Sequence, residues 1–543
     1  MNIQINKKKA LKIFFAVILL FQICVLWHLG RKKQEYHIDE IYSYILSNSY
    51  DTDRIANDPE VWNQWVKGEI FDKFAAVNEG EQFAYEKTYY NNTLDAHPPL
   101  YYYSLHTVCS FFPGQFSKWF GIGLNIVFFI AAQLLLFRLS RKIFGETLWA
   151  LLPVCVYGGT NAAYNTAIYI RMYMMLTMFA LLLANIHYDM LQKSFSLNWG
   201  IACFVVTYLG IFTHYYFALF AFFIALFTCI YYLVHKQWKD FIQYGLCMLG
   251  AVGAVFYSYP AAIAQIGGSS TNNVGKSIND NLWNFSDWGK SILSMGYYDL
   301  KKGLSGGLIR VKLLLILIAA ATVILAFWKR EKKKAEDIKP DFGKMAILFL
   351  FLTLVIVTIA KITGQFIYFR YLYFLIPLVA LLIAWIINTL VYYLPFNRQI
   401  FAAGAGLFWL CGTYGIYSGN VNAYLYNERY QNNQRIVEMC KDRPLILINN
   451  GKTYHPTANF TILRQCENVY MTSYEKMGNI DDILSQVNAD NGAVFLVLTD
   501  QNWSEGLDGK EVMERVIGNS DLLNSYTDNG ECEFSEVYLA SGK

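Results

Sequence analysis

Residues 12–29 read KIFFAVILLFQICVLWHL, an apolar run long enough to cross the hydrocarbon core of a bilayer as a helix. Arg31-Lys32-Lys33 follows, where a signal peptide would carry small residues at its cleavage site, so we interpret the run as a retained first membrane helix. Ten similar blocks come later, at 118–139, 148–168, 172–190, 198–212, 215–234, 241–262, 311–328, 345–360, 371–394 and 400–417. The pattern predicts a polytopic α-helical membrane protein with about eleven transmembrane helices.

Composition agrees with this class. Hydrophobic residues make up 55% of the 543 and charged residues only 16%, whereas soluble proteins carry about 25% charged residues. The basic clusters follow the loops between apolar blocks, which topology explains better than nucleic-acid binding does. We therefore expect a lipid bilayer, and no nucleic acid, as a partner.

The short loops set the orientation. With the N-terminus in the cytoplasm, Arg138, Arg141, Lys142 and Lys193 all lie on the cytoplasmic side, as the positive-inside rule requires. The clusters at 31–33 and 301–302 disagree, but they lie in long loops, where the rule is weaker. This topology places outside the cell two long loops, 31–116 and 265–308, and the C-terminal tail. The second loop is rich in Gly, Ser and Asn, which indicates a mobile lid.

The tail differs from the rest of the chain. Residues 421–543 carry 18 acidic and 10 basic side chains, a net of −8, which indicates a solvated domain. Apolar runs at 445–448, 469–471, 494–498 and 537–539 alternate with helical patterns at 480–487 and 511–517. This alternation predicts a small α/β domain with a mainly parallel sheet. We therefore expect a membrane module over 1–420 and an extracytoplasmic domain over 421–543.

Two carboxylates, Asp39 and Glu40, follow the first apolar block. Alone they would be ordinary polar residues of a membrane interface. Asp95 and His97 lie in the same loop, beside a rigid Pro98-Pro99. The presence of these further polar residues in the loop favours a functional site. A carboxylate at a partly dehydrated interface can act as a general base toward a hydroxyl or amine.

Two arginines stand at the predicted outer ends of apolar blocks. Arg171 and Arg370 are each flanked by tyrosines, and burying an arginine centrally costs about 2.5–3.5 kcal/mol on insertion scales. Each could simply extend its guanidinium to the interface. Together they would suit a phosphate. His214 is predicted at the same level, where a lone histidine is more often structural.

Asp51-Thr52-Asp53 has the spacing that some enzymes use to bind a divalent metal beside a sugar nucleotide. In a polar loop such a pair is usually a solvated turn. We predict no cofactor, with a weak possibility of a divalent metal at Asp51 and Asp53.

Taken in order, five motifs resemble the GT-C superfamily of membrane glycosyltransferases. The greatest similarity is to bacterial relatives of the dolichyl-phosphate-mannose protein mannosyltransferases and of the lipid A aminoarabinose transferases. The resemblance covers roughly 12–390 and not the tail. The motifs are Asp39-Glu40-Ile41-Tyr42-Ser43, His97-Pro98-Pro99-Leu100-Tyr101-Tyr102, Arg171-Met172-Tyr173, Thr213-His214-Tyr215 and Arg370-Tyr371-Leu372.

The resemblance implies a polyprenyl-phosphate-linked sugar as donor, an extracytoplasmic acceptor (protein, lipid or cell-wall glycan) and inversion at the anomeric carbon. It implies Asp39 as the general base with Glu40 supporting it, and Arg171 and Arg370 as ligands of the lipid phosphate. The most similar members need no metal. The residues expected to bind substrate are Asp95, His97, Arg171, Tyr173, His214, Arg370 and Tyr371.

Two other classes remain open. A secondary transporter would also carry charges within its membrane helices, but it would show internal repeats and a site near the midplane. We find no internal repeat, and the polar residues gather at the outer ends of the blocks. A membrane-anchored envelope-assembly or binding protein acting through its tail would not need eleven helices as an anchor.

The topology makes one prediction. A cysteine introduced near Gly509 should react with a membrane-impermeant thiol reagent in intact cells, because the tail is predicted outside. Labelling there only after the membrane is permeabilised would overturn the orientation.

Overall fold

The computed structural model describes residues 2–49, 55, 58–193, 195–267, 280–281, 289–290, 303–304, 308, 312–329, 340–363, 369–418, 423–450, 455–499 and 506–543. In chain order the helices are α1 (Asn2–Lys32), α2 (Ile38–Asn48), α3 (Asp72–Ala75), α4 (Tyr85–Leu94), α5 (Leu100–Ser110), α6 (Lys118–Phe144), α7 (Leu152–Gly158), α8 (Asn161–Ile168), α9 (Tyr173–Leu191), α10 (Leu197–Thr213), α11 (Tyr216–Val234), α12 (Trp238–Ser258), α13 (Ala261–Gly267), α14 (Lys312–Trp328), α15 (Phe342–Thr363), α16 (Ile376–Tyr393), α17 (Arg398–Ser418), α18 (Asn427–Met439), α19 (His455–Ala458), α20 (Phe460–Leu463), α21 (Ile480–Leu484) and α22 (Gly509–Gly518). The strands are β1 (Trp65–Val66), β2 (Leu445–Asn449), β3 (Val469–Ser473), β4 (Ala493–Leu498), β5 (Leu523–Cys532) and β6 (Ser535–Gly542).

These residues form two compact units. The helical unit comprises Met1–Arg31, Asn92–Tyr101 and Gly121–Ala423. The sheet unit comprises Lys32–Asn91, Tyr102–Phe120 and Tyr424–Lys543. The predicted boundary at residue 420 stays a prediction. Besides the tail, the sheet unit contains two segments from the first long loop.

The predicted multi-pass helical class is confirmed. In the described part of the chain, eight helices are long and apolar enough to cross a membrane. Three shorter apolar segments, Leu148–Gly158, Leu197–Thr213 and Lys312–Trp328, match three more of the predicted blocks. These eight candidate spans lie in α1, α6, α9, α11, α12, α15, Arg370–Tyr393 and α17.

The block at 148–168 is not one helix, so that prediction is wrong. It begins as a 3₁₀ turn, continues as α7, ends at Gly158 and restarts as α8. A side chain on Gly158 would meet the Gln22 carboxamide at 2.0 Å, and one on Gly159 would meet the Trp409 carbonyl oxygen at 2.6 Å. Thr160 caps α8 by accepting from the Ala163 amide. The approach of the Trp409 backbone leaves no room for a side chain at Gly159, and glycine also ends helices readily.

Hydrogen bonds within the protein hold several of the polar groups beside this break. Thr413 donates from its hydroxyl to the Gly158 carbonyl at 2.8 Å. The Gln133 carboxamide donates to Gln22 Oε1 at 2.8 Å, and Gln22 donates to the Val154 carbonyl at 3.2 Å. Lipid can supply no such partners. The broken segment is therefore held by buried amides and hydroxyls.

The sheet has the order β1-β3-β2-β4-β6-β5. Strand β2 runs parallel to β3 and β4, whereas the β1–β3, β4–β6 and β5–β6 pairs are antiparallel. The mainly parallel sheet predicted for the tail is thus correct at the centre and wrong at the edges. The central strands are fully buried and read as continuous apolar runs, whereas β5 is largely exposed and polar.

One strand comes from the first long loop. Trp65 in β1 pairs with Tyr470 in β3, and the Trp65 indole donates to the Ile483 carbonyl at 2.9 Å. Arg464 of the tail forms an ion pair with Asp72 of the loop at 2.6 Å. These parts of the loop therefore belong to the same unit as the tail.

Candidate active site

The seven predicted substrate-binding residues all belong to the helical unit, and each lies between two helices, at the start of a helix or in a 3₁₀ segment. Asp95 and His97 lie between α4 and α5, Arg171 between α8 and α9, and His214 between α10 and α11. Tyr173 begins α9, and Arg370 and Tyr371 lie in the 3₁₀ segment Phe369–Leu375. We call these seven residues the arginine–histidine cluster.

A relay of three side chains runs through the cluster. Asp95 Oδ2 lies 2.7 Å from His97 Nδ1, and His97 Nε2 lies 3.3 Å from Arg171 Nη2. Arginine can only donate, so His97 Nε2 must accept. The proton of His97 is therefore on Nδ1 and is donated to Asp95. The relay fixes both the tautomer of His97 and the direction of the Arg171 guanidinium.

The charge of Asp95 is maintained by this relay. Burial raises the pKa of Asp95, but the neighbouring His97 and Arg171 lower it by more, so the pKa lies below its usual value. Asp95 is therefore ionised at neutral pH. Its negative charge offsets part of the permanent positive charge of Arg171, which is only 5% exposed.

The second histidine of the cluster is neutral. Burial lowers the pKa of His214 well below its usual range, and the charges of Arg171 and Arg370 lower it further. The Tyr216 amide donates to His214 Nδ1 at 3.1 Å, which leaves the proton on Nε2. The His214 ring lies edge-to-face with His97, with the ring centroids 5.7 Å apart. His214 thus presents a donor beside the relay without adding charge.

The second arginine is held by tyrosines. Arg370 Nη1 donates to the Tyr169 hydroxyl at 2.7 Å, and its guanidinium lies 5.6 Å from both the Tyr169 and Tyr371 ring centroids. Tyr169 stacks on Tyr173, whose ring also contacts His214 and Tyr371. An arginine flanked by aromatic faces is desolvated and rigid.

The backbone adds to the positive potential. Arg171 stands two residues before the start of α9, and His214 stands two residues before the start of α11. Helix N-termini carry a partial positive charge and unpaired amide donors. Two arginines and two helix N-termini are offset by a single carboxylate, so the cluster is suited to an anion such as a phosphate.

Asp39 and Glu40 belong to the sheet unit, in the first turn of α2. Asp39 is partly exposed, and its carboxylate lies 3.5 Å from His37 Nδ1, which accepts from the Asp39 amide at 3.1 Å. A carboxylate at a helix N-terminus is stabilised by the helix dipole.

Glu40 is completely buried, unlike Asp39. Its Oε2 accepts from Lys33 Nζ at 2.9 Å and from the His37 amide at 2.8 Å, which closes a capping box on α2. Lys33 also donates to the Tyr424 carbonyl at 2.8 Å. Burial lowers the pKa of Lys33, and the charge of Glu40 opposes this shift. Glu40 thus holds the segment that carries Asp39.

Some predicted features cannot be described. Asp51 and Asp53 lie outside the described residues, as does most of the loop 265–308. Within the described part of the chain, no group of three or more His, Cys, Asp or Glu is suited to a metal. The sequence did not reveal the roles of Tyr169 and Lys33, although Tyr169 stands two residues from Arg171 within the same aromatic run.

Comparisons with known proteins bear on the fold. No family model matches the chain, and no curated protein sequence does. The chain is similar to the crystal structure of ArnT from Cupriavidus metallidurans bound to undecaprenyl phosphate, with 10% identity and a TM-score of 0.50 over 97% of each chain. The apo structure of the same protein aligns over 97% of this chain and 98% of that chain, with 10% identity and a TM-score of 0.43. At this identity the first likeness shows the fold alone. The chain therefore shares the fold of ArnT, as expected.

The buried pair gives a stability prediction. Glu40→Gln should cost about 3–5 kcal/mol, because it leaves the buried Lys33 charge uncompensated. Glu60→Gln is the matched control, since Glu60 pairs with Lys73 on the surface, where such pairs contribute about 0–1 kcal/mol. Thermal unfolding of the purified variants checks this. We expect a midpoint roughly 10 °C lower than in the wild type for Glu40→Gln, and no such change for Glu60→Gln. Equal midpoints for the two variants would contradict it.

Proposed function

We propose that the chain is an integral-membrane glycosyltransferase that moves a sugar from a polyprenyl-phosphate donor to an extracytoplasmic acceptor, with inversion at the anomeric carbon. The arginine–histidine cluster is the observation that carries the proposal. It is an anion-binding arrangement at helix junctions, in a fold that has been solved in ArnT with undecaprenyl phosphate bound. The acceptor class, whether protein, lipid or cell-wall glycan, stays open.

Each step has a proposed group. Asp39 takes the proton from the acceptor hydroxyl or amine as its oxygen or nitrogen attacks the anomeric carbon. The bond between that carbon and the phosphate oxygen breaks on the opposite face, and its electron pair stays with the phosphate. The leaving polyprenyl phosphate gains a negative charge, which Arg171 and Arg370 stabilise. The Nε2–H of His214 is a further donor for the same phosphate.

The transporter alternative is less favoured. A transporter would need its charged site near the midplane of the bilayer. In the described helical unit, the buried polar side chains around the break after α7 are amides and hydroxyls, such as Gln22, Gln133 and Thr413. The charged residues of the cluster lie instead at helix junctions. This distribution supports the transferase.

The base assignment predicts that Asp39→Asn abolishes transfer, since loss of a general base typically costs about 10²–10⁴-fold. Sugar transfer from a radiolabelled polyprenyl donor to an envelope fraction, with protein in nanodiscs, measures this. Asp521→Asn makes the same change at a fully exposed position of the sheet unit and should leave the rate unchanged. Wild-type turnover by a folded Asp39→Asn variant would reject Asp39 as the base.

The phosphate assignment predicts weaker lipid binding. Arg171→Gln and Arg370→Gln should each raise the Kd for polyprenyl monophosphate about 10–100-fold, because each removes a charged hydrogen-bond donor. Arg138→Gln is the control, as Arg138 forms a surface ion pair with Asp189 at the far end of α9. An equal Kd for all three variants would exclude the cluster as the phosphate site.

A further inference from the structure

Gln265 is not one of the seven residues of the arginine–histidine cluster, but its side chain contacts one of them, Asp95. It lies in α13 and is only 4% exposed. Its Nε2 donates to the Asp95 carbonyl at 2.6 Å and to the Asn92 carbonyl at 2.8 Å. Its Oε1 accepts from the Tyr215 hydroxyl at 2.5 Å. All of these residues belong to the helical unit.

The carboxamide suits this place because it has two N–H donors and one acceptor oxygen on a rigid plane. The donors reach the turn that carries Asp95. The Asn92 carbonyl, near the end of α4, also accepts from the Asp95 amide at 3.2 Å. The acceptor holds Tyr215, the neighbour of His214. The Tyr259 hydroxyl, 3.1 Å from Nε2, shares one of these two N–H donors.

We infer that Gln265 is a positioning residue of the candidate active site, which locks the Asp95 turn to the α10–α11 junction so that Asp95 reaches His97 and His97 reaches Arg171. The role of that alignment in phosphate binding rests on the proposed function. The alignment itself does not, because it is a set of hydrogen bonds within the protein.

The alignment is sensitive to small movements. The Asp95–His97 contact of 2.7 Å and the His97–Arg171 contact of 3.3 Å form in series. Hydrogen bonds weaken steeply with distance and angle, so a shift of the Asp95 backbone breaks the first contact. His97 is then no longer held as its Nδ1–H tautomer, and Arg171 loses the acceptor that orients its guanidinium.

Two substitutions separate positioning from packing. Gln265→Leu keeps the volume and removes every hydrogen bond. Gln265→Glu keeps the acceptor for Tyr215, but its carboxylate cannot donate to the two carbonyls. Gln133→Leu is the matched control, because Gln133 is another buried carboxamide of the helical unit and bonds to Gln22, outside the cluster.

Solid-state ¹⁵N spectra of the histidine-labelled full-length protein in bilayers test the alignment directly. The His97 signal is identified by its loss in His97→Gln. We expect the Nδ1–H tautomer in the wild type and in Gln133→Leu, and mixed tautomers in both Gln265 variants. A pure Nδ1–H signal in Gln265→Leu and Gln265→Glu overturns the inference. This measurement does not depend on sugar transfer. Its outcome therefore tests the positioning role of Gln265 separately from the proposed function.

Binding of polyprenyl monophosphate at neutral pH gives the second readout. In both Gln265 variants we expect a Kd about tenfold higher than in the wild type and in Gln133→Leu, because Arg171 loses the acceptor that orients it. A wild-type Kd in both Gln265 variants contradicts a role of the alignment in phosphate binding.

Discussion

A guanidinium keeps its proton at every pH that a cell meets, so Arg171 places a permanent charge inside the helical unit. The titratable side chains near Arg171 accommodate this charge by adopting different protonation states. Asp95 supplies an opposite charge through His97, whereas His214 stays neutral because another positive charge there would be costly. Arg370 stands apart, between tyrosine rings. The remaining excess of positive charge is what an anionic ligand would neutralise.

Much of this could be predicted from the sequence, because the bilayer imposes strong patterns. Apolar blocks of about twenty residues mark the helices without tertiary information. Charged residues buried within such blocks are costly, so the few arginines that border them among tyrosines, Arg171 and Arg370, stand out. Seven of the predicted site residues lie together in the helical unit, and their role in binding substrate stays a prediction. The broken segment after α7 was missed, since its glycines are required by contacts with Gln22 and Trp409 from distant parts of the chain.

Other features depend on single contacts that leave no pattern. Gln265 is one polar residue just after an apolar block, and only the fold brings it to the Asp95 carbonyl. Glu40 looked like a partner of Asp39, but its burial against Lys33 makes it a support for the α2 segment. Strand β1 has two residues, too few to show alternation, and its existence depends on pairing with β3.

The pairing of β1 with β3 has a consequence for biogenesis. Trp65 and Tyr470 are about 400 residues apart, so β1 leaves the ribosome long before its partner exists. At about 5–20 residues per second, the first long loop would wait roughly 20–80 s in an unfinished state. During that interval the buried Lys33–Glu40 pair also lacks the Tyr424 carbonyl that completes it. The segment carrying Asp39 thus matures only after the strands of the tail have been made, and a protein truncated before the tail would leave this loop open to proteases.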